Sequence, residues 1–263
     1  MTEQQALAWR VPTARLRTHN AIVDRLGLAP GAVFLDLGCG NGFTLATAAS
    51  RVPDLTLIGL DVDEVALAAA RSWLEDLGAR HELLRADVGD RLPLPSGSVT
   101  HVVCHDVLEN LEDPLDLMVE AHRVLVAGGT SVWSHVDYDS VVVSGADRHL
   151  TRRVVQAYGE ASREGMDRTD AQMGRKVAAL VAQSPLERAA VDAHVLIATD
   201  LEGPGERRIE DMAATVRRSA ERGEADVDVE DVDTWVAQLR LAHQRARFFY
   251  AQTAYIVTAT KRG

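Results

Sequence analysis

The stretch Val33-Phe34-Leu35-Asp36-Leu37-Gly38-Cys39-Gly40-Asn41-Gly42 decides how this chain is expected to fold. Its first half is a short apolar run typical of a buried strand, and the alternating glycines predict a tight turn before a helix that begins at Phe43. Glycine suits such a turn because it adopts positive φ and lets the backbone approach a ligand closely. A ligand is therefore expected beside the helix N-terminus, at the carboxyl end of a parallel strand.

Two acidic residues stand where the next two strands are expected to end. Asp61 closes the run Leu55 to Asp61, and its distance of about 20 residues from the glycines is typical of a carboxylate that binds ribose hydroxyls. Asp87 closes the run His81 to Asp87 and can accept a hydrogen bond from an exocyclic amine. The glycine turn and the two carboxylates together predict a nucleoside pocket.

Four segments in this order resemble the class I S-adenosylmethionine-dependent methyltransferases, in particular the branch that acts on small molecules such as natural products and quinones. The segments are VFLDLGCGNG, LIGLDVD, ADVGDRLPLPSGSVTHVVCHDVLENLEDP and EAHRVLVAGGTSVW, between residues 33 and 136. The resemblance implies an S-adenosyl-L-methionine cofactor whose methionine part lies on the glycine loop, whose ribose meets Asp61 and whose adenine amine meets Asp87. The cofactor-binding residues that it implies are Asp36, Gly38, Gly40, Asn41, Gly42, Asp61, Val62, Asp87, Val88 and His105.

The segment from Ala6 to Leu28 mixes apolar and basic residues ahead of the first strand. We expect it to form a small helical lid over the cofactor. By resemblance to lid residues of similar enzymes, Arg15 or Arg17 could pair with the methionine carboxylate of the cofactor. The alternative is that these arginines belong to a solvated helix face.

The alternation of strand and helix patterns along the chain predicts a parallel sheet with right-handed crossovers. We expect an α/β fold with a Rossmann-like, mostly parallel seven-stranded sheet flanked by helices. By resemblance, its last strand is antiparallel. The expected parts are a lid helix plus cofactor-binding core over residues 1–138, a helical insertion over the acceptor site at 139–186, and the end of the core sheet with a further helical insertion at 187–263.

Polar residues follow the fourth and fifth predicted strands, at the sheet edge where open α/β folds bind ligands. His105 and Asp106 follow strand four, and His135 ends strand five. His135 could take a proton from a hydroxyl or ammonium nucleophile, since histidine titrates near pH 6.5, and Asp106 is the second candidate catalytic residue. The alternative for either histidine is a structural hydrogen bond to a backbone carbonyl. The acidic surroundings favour an amine nitrogen slightly over a hydroxyl as methyl acceptor.

The residues expected to line an apolar acceptor site are Tyr138, Tyr158, Met166 and Met173, with ordinary core packing as the alternative. They fall in a predicted insertion with helices at Thr151 to Glu164 and Ala171 to Gln183. The acceptor is therefore expected to be a small molecule.

The composition excludes several classes of partner. The 28 basic and 39 acidic residues give a net charge of −11, which disfavours nucleic acid and anionic membranes. Two cysteines cannot form a disulfide framework, and we expect reduced thiols in a cytoplasmic protein with no metal site. Two alternatives to a methyltransferase are a nicotinamide-dependent oxidoreductase, in which Asp87 would have no role, and a non-catalytic cofactor-binding protein of the same fold.

Overall fold

The computed structural model describes residues 13–161 and 170–263. The beginning of the predicted lid, the end of the predicted helix Thr151 to Glu164, and Met166 lie outside the described residues. Contacts group the described residues into two compact units, the first made of 13–135, 175–194 and 255–263 and the second of 136–161, 170–174 and 195–254.

Strands and helices alternate along the first half of the chain, as the sequence predicts. The strands are β1 (Val33–Leu37), β2 (Thr56–Asp61), β3 (His81–Arg85), β4 (Val99–His105), β5 (Leu125–Val136), β6 (Val142–Ser144), β7 (Glu187–Ala198) and β8 (Phe249–Thr260). The helices are α1 (Thr13–Leu26), α2 (Phe43–Arg51), α3 (Glu64–Asp76), α4 (Pro114–Val124), α5 (Arg148–Glu160), α6 (Met173–Gln183), α7 (Pro204–Glu221) and α8 (Val229–Gln244).

The first unit is built on a parallel sheet with the strand order β3-β2-β1-β4-β5. The chain moves outward from β1 to β3 and then returns to the other side of β1 with β4. The order therefore reverses between β1 and β4, and in open α/β sheets ligands bind in the crevice at such a point. Because the five strands are parallel, the loops that follow them meet along one edge of the sheet.

The last strand runs against the others. The Gly128 N–H donates to the carbonyl of Lys261, the Lys261 N–H donates to the carbonyl of Gly129, both at 2.9 Å, and the Ser131 hydroxyl approaches the carbonyl of Ala259 at 3.4 Å. As the residue numbers increase along β5, the numbers of their partners in β8 decrease, so the two strands are antiparallel. The predicted Rossmann-like class with an antiparallel last strand is confirmed.

The sheet has eight strands in the described part of the chain, one more than the seven expected. The additional strand is β6, whose three residues pair antiparallel with Phe249, Tyr250 and Ala251 within the second unit. So short a strand carries little periodicity in the sequence, which is why the pattern did not predict it. β7 pairs with β8.

Each unit has its own apolar core. In the first unit, one buried cluster joins α1, α2 and α3 to the sheet and includes Ile22, Phe34, Leu45, Leu57, Leu67 and Val103. In the second, the cluster includes Val154, Tyr158, Met212, Trp235, Phe248 and Tyr250. Tyr158 therefore packs in a core, the alternative that the sequence left open. Within 13–161 and 170–263, no helix is both long and apolar enough to cross a membrane.

Carboxylates cap several helices. Asp63 and Asp113 cap α3 and α4, each accepting a hydrogen bond from the backbone N–H two residues ahead. Asp147 caps α5, so that helix begins at Arg148 and not at Thr151. Asp228 forms a reciprocal capping box with Asp231, so α8 begins at Val229.

We predict that Gly42→Ala destabilises the protein much more than Gly27→Ala. Both glycines have positive φ, 73° and 65°, but a Cβ on Gly42 would lie 2.7 Å from the Cβ of Ala70, whereas one on Gly27 would have no neighbour within 4 Å. Gly27→Ala should cost about 1 kcal/mol of unfolding free energy through backbone strain, and Gly42→Ala about 1 to 3 kcal/mol more. Urea unfolding measures both, and equal losses would contradict the packing argument.

Candidate active site

Three glycines shape the loop between β1 and α2. Gly38, Gly40 and Gly42 have φ of 68°, 48° and 73°. A Cβ on Gly38 would lie 2.3 Å from a methyl carbon of Val107, whereas one on Gly40 would meet nothing within 4 Å. Gly38 and Gly42 thus permit close packing within the protein, while Gly40 leaves an open face of backbone that a ligand can approach. Asn41, beside it, is exposed.

Asp61 joins this loop to the end of β2. Its Oδ2 accepts a hydrogen bond of 2.7 Å from the Gly40 N–H, and its Oδ1 accepts one of 2.9 Å from the Asp63 N–H. A carboxylate offers about four acceptor positions, so Asp61 retains capacity for further donors such as two hydroxyls. The next residue, Val62, is 56% exposed and presents an apolar surface beside that carboxylate.

Asp87 lies just beyond β3 and not at its last position. The predicted strand His81 to Asp87 ends at Arg85 instead, because the Asp87 Oδ1 accepts a hydrogen bond of 2.8 Å from the Gly89 N–H and turns the chain. The Asp87 side chain is exposed, and Val88 is buried. Asp61 and Asp87 therefore follow neighbouring parallel strands at the same sheet edge, as a nucleoside pocket requires.

Asp36 is a carboxyl group buried in β1, two residues before Gly38. Burial, and then the negative charge of Asp61, raise its pKa well above the usual value, and a hydrogen bond from the Thr44 side chain offsets part of the shift. Its Oδ2 has no hydrogen-bond partner in the described part of the chain. A buried unpaired carboxyl oxygen is costly, and such costs are typical of functional sites.

The two cysteines lie near this carboxyl group as neutral thiols. Cys39 and Cys104 are both buried and free. Burial, with Asp36 as the next contribution, raises the pKa of each thiol. The expectation of reduced, packed cysteines agrees with this placement.

Helix α1 reaches the site through His19. The Nδ1 of His19 lies 3.0 Å from the hydroxyl of Thr44, and its ring meets the ring of His105 edge to face at a centroid distance of 5.3 Å. Arg17 is exposed. The pKa of His194 on β7 is lowered first by the burial of its own ring and then by the positive charge of Arg17. The role of Arg17 in cofactor binding stays a prediction.

His19 and Thr44 were not predicted as site residues. Nothing in the local pattern around His19 predicts its burial, which follows from the packing of α1. The position of Thr44 in the first turn after the glycine loop is the one sequence signal that could have identified it.

A polar cluster occupies the ends of β4 and β5. His105 Nε2 lies 3.5 Å from Asp106 Oδ2, His135 Nδ1 lies 3.6 Å from Asp106 Oδ1, and His135 Nε2 lies 3.8 Å from Glu109 Oε1. These are ion-pair distances and exceed those of direct hydrogen bonds. Asp106 has a φ of 55°, and its N–H donates to the carbonyl of Ser134 at 3.0 Å. Positive φ is unfavourable for a residue other than glycine, and such residues are found in turns and at functional sites.

Exposure separates the roles within this cluster. The Asp106 side chain is 32% exposed, whereas His135 is 0% exposed. Asp106 is thus the member that an acceptor can touch, and His135 lies behind it, between two carboxylates. The structure brings together both predicted catalytic residues and adds Glu109 to them.

Comparison with known proteins agrees with this geometry. Residues 35–133 match a family model described as a methyltransferase domain. The chain is 34% identical over 156 residues to an uncharacterized 37.1 kDa protein in transposon TN4556 of Streptomyces fradiae, covering 55% of this chain and 44% of that protein. It is 32% identical over 113 residues to a ubiquinone biosynthesis O-methyltransferase of Pseudomonas paraeruginosa, covering 42% and 46%. The chain thus spans less than half the length of these relatives.

A solved structure shares the fold. Geranyl diphosphate C-methyltransferase from Streptomyces coelicolor A3(2), in complex with S-adenosyl-L-homocysteine, superposes with a TM-score of 0.54 at 15% identity, over 93% of this chain and 75% of that one. The match over residues 35–133 supports the predicted class, a class I S-adenosylmethionine-dependent methyltransferase, and the solved structure shares its fold. S-adenosyl-L-methionine is the cofactor of that class.

The residues at the sheet edge fit this cofactor. The open backbone at Gly40 allows close approach, and Asp61 can accept from a ribose diol. The unpaired Oδ2 of Asp36 can carry negative charge once the carboxyl ionises, and a cation would compensate that charge. An electrically neutral or anionic nucleoside would leave that charge unbalanced.

We predict that Asp36→Asn stabilises the protein at about pH 8 and not at about pH 4. The pKa of Asp36 is raised in the folded state, so its contribution to stability is present at low pH and is lost as the pH rises through the raised value. A gain of about 1 kcal/mol would raise the melting temperature by about 2 to 4 °C. Thermal unfolding of the exposed variant Asp54→Asn is the control. An equal gain at both pH values would contradict the assignment.

Proposed function

We propose that this chain transfers a methyl group from S-adenosyl-L-methionine to a nitrogen or oxygen of a small molecule. The observation that carries the proposal is the contact between the glycine loop and the polar cluster. Val107, directly after Asp106, lies so close to Gly38 that a Cβ there would be 2.3 Å away. A cofactor on the loop would therefore have the Asp106 carboxylate as a near neighbour.

The cofactor supplies an electrophilic methyl group on its sulfonium. Asp61 would hold its ribose and Asp87 its adenine amine, which fixes the nucleoside across the ends of β2 and β3. The backbone at Gly40 would support the methionine part, with Asp36 beneath it. Holding both reactants in this way lowers the activation free energy of methyl transfer substantially, since aligned groups reach effective molarities of about 10⁵ to 10⁸ M.

Asp106 would bind the acceptor and hold the proton that it loses. An amine reaches the site as an ammonium ion and must give up a proton before its lone pair can attack, and a carboxylate both attracts that cation and accepts the proton. His135, fully buried between Asp106 and Glu109, would position the Asp106 carboxylate and not touch the acceptor. This acidic setting favours nitrogen over oxygen, and a secondary metabolite is a suitable acceptor.

The relatives themselves act on different atoms. The name of one specifies an O-methyltransferase and that of the solved structure a C-methyltransferase. The acceptor atom of this chain therefore rests on the Asp106 cluster. Three further points stay predictions. They are the lining of the acceptor site by Tyr138 and Met173, the role of the insertions as a lid, and the location of the protein in the cytoplasm.

The direct experiment measures S-adenosylhomocysteine formation with panels of amines, phenols and enolisable carbon acids. We expect turnover with amines above that with phenols, and little with carbon acids. Turnover of carbon acids alone would contradict the assigned acceptor. Cofactor binding with no product from any panel would favour the non-catalytic protein of the same fold, and binding of a nicotinamide cofactor instead would favour the oxidoreductase.

We predict that Asp61→Ala weakens binding of both S-adenosylmethionine and S-adenosylhomocysteine by about 10- to 100-fold, the value of hydrogen bonds to a charged group. The two ligands should be affected equally because they share the ribose. Titration calorimetry measures the affinities, and Asp63→Asn, which retains a helix cap, is the matched control. Unchanged affinity in Asp61→Ala would contradict the ribose assignment.

We predict that Asp106→Asn lowers kcat by about 100-fold or more, as the loss of a general base does, while the affinity for S-adenosylmethionine changes little. The reason is that the carboxylate handles the acceptor proton and not the cofactor. Asp116→Asn on the exposed side of α4 makes the same charge change away from the site. An amine substrate whose turnover survives in Asp106→Asn would exclude this role.

A further inference from the structure

Three side chains from three elements form a buried chain of polar contacts under the glycine loop. Asp36 comes from β1, Thr44 from the first turn of α2 and His19 from α1, and all three are buried. His19 Nδ1 lies 3.0 Å from Thr44 Oγ1, and the Thr44 side chain acts in turn on Asp36, whose pKa it lowers against the effect of burial.

The ring of His19 is held by its neighbours. It packs edge to face on His105 at 5.3 Å and lies tilted at 5.9 Å from Phe43. Packing on two sides fixes the ring plane, so the nitrogen that faces Thr44 is determined by the fold. The choice that remains is whether that nitrogen carries a hydrogen.

A threonine hydroxyl has one hydrogen and can donate only one bond. If Thr44 donates to an ionised Asp36, it must accept from His19, which then carries its hydrogen on Nδ1. If Asp36 is protonated, it can donate to Thr44, and Thr44 can donate to a bare Nδ1 of His19. The direction of the two contacts is therefore coupled to the charge of Asp36.

Among the residues that the structure describes, the groups that act on Asp36 and its neighbouring thiols carry no positive charge. The carboxylate of Asp61 faces it from β2, and the neutral thiols of Cys39 and Cys104 face it from the loop and from β4. His19 reaches it from α1 through Thr44. S-adenosylmethionine carries a sulfonium cation that its demethylated product lacks, and this cation can balance the ionised carboxylate.

We propose that His19 is a positioning residue for cofactor binding: it donates from Nδ1 to Thr44, so that Thr44 donates to Asp36 and stabilises the ionised carboxylate that the cationic cofactor requires. The inference rests on the proposed function. On binding, the proton of the Asp36 carboxyl leaves to solvent, and the two hydrogen bonds point from His19 toward Asp36. Affinity for S-adenosylmethionine then rises with pH until Asp36 is ionised in the free protein.

The test uses titration calorimetry of the full chain between about pH 6 and about pH 9, in buffers of different ionisation enthalpy that report proton release. Four variants are compared with the wild type. His19→Phe and Thr44→Val remove the donor and the hydroxyl while keeping the shape of the side chain. His19→Asn and Thr44→Ser retain a donor and a hydroxyl, and thermal unfolding confirms that each variant is folded.

We expect the wild type to release more protons on binding S-adenosylmethionine than on binding S-adenosylhomocysteine. In His19→Phe and Thr44→Val, affinity for S-adenosylmethionine should fall about tenfold near pH 7, the value of one hydrogen bond, and recover toward pH 9. Affinity for S-adenosylhomocysteine should fall less. His19→Asn and Thr44→Ser should restore most of the loss.

A merely structural role gives a different pattern. Losses that are independent of pH, equal for both ligands and not restored by His19→Asn would overturn the inference, as would the absence of proton release in the wild type. In either of these cases the wild type still binds S-adenosylmethionine and transfers its methyl group. The inference about His19 would then fail while the proposed function stands. A wild type that fails to bind S-adenosylmethionine would instead refute both.

Discussion

A hydrogen bond of 2.7 Å from the Gly40 N–H to the carboxylate of Asp61 ties the loop after β1 to the end of β2. This contact requires a sharp bend in the backbone, and the positive φ of the surrounding glycines makes the bend possible. The same carboxylate retains acceptor positions for a ligand. One contact thus shapes the loop and prepares the sheet edge where the strand order reverses, and the proposed site depends on both.

The costly features of the first unit gather at this edge. Asp36 is buried with an unpaired oxygen, Asp106 has a positive φ, and His135 is buried between two carboxylates. The unpaired oxygen and the positive φ are unfavourable for the folded protein alone, and a protein retains such features where they serve a ligand. The apolar cluster beneath the sheet offsets these costs. Function and stability therefore make opposite demands at the ends of β1, β4 and β5.

Local patterns predicted the parts of the structure that local forces determine. The glycine loop and the acid at the end of β2 could be predicted because each depends on a few neighbouring residues. The predicted start of α5 was wrong because the side-chain cap at Asp147 extended the helix to Arg148. His19 was missed, and the full burial of His135 was not foreseen, because burial follows from packing between elements distant in sequence.

The most direct measurement is a crystal structure of the protein with S-adenosylhomocysteine. The account predicts ribose hydroxyls within hydrogen-bond distance of the Asp61 carboxylate, an adenine amine at Asp87, and the sulfur directed toward Asp106. A nucleoside bound elsewhere, with Asp61 making no contact beyond Gly40 and Asp63, would contradict it.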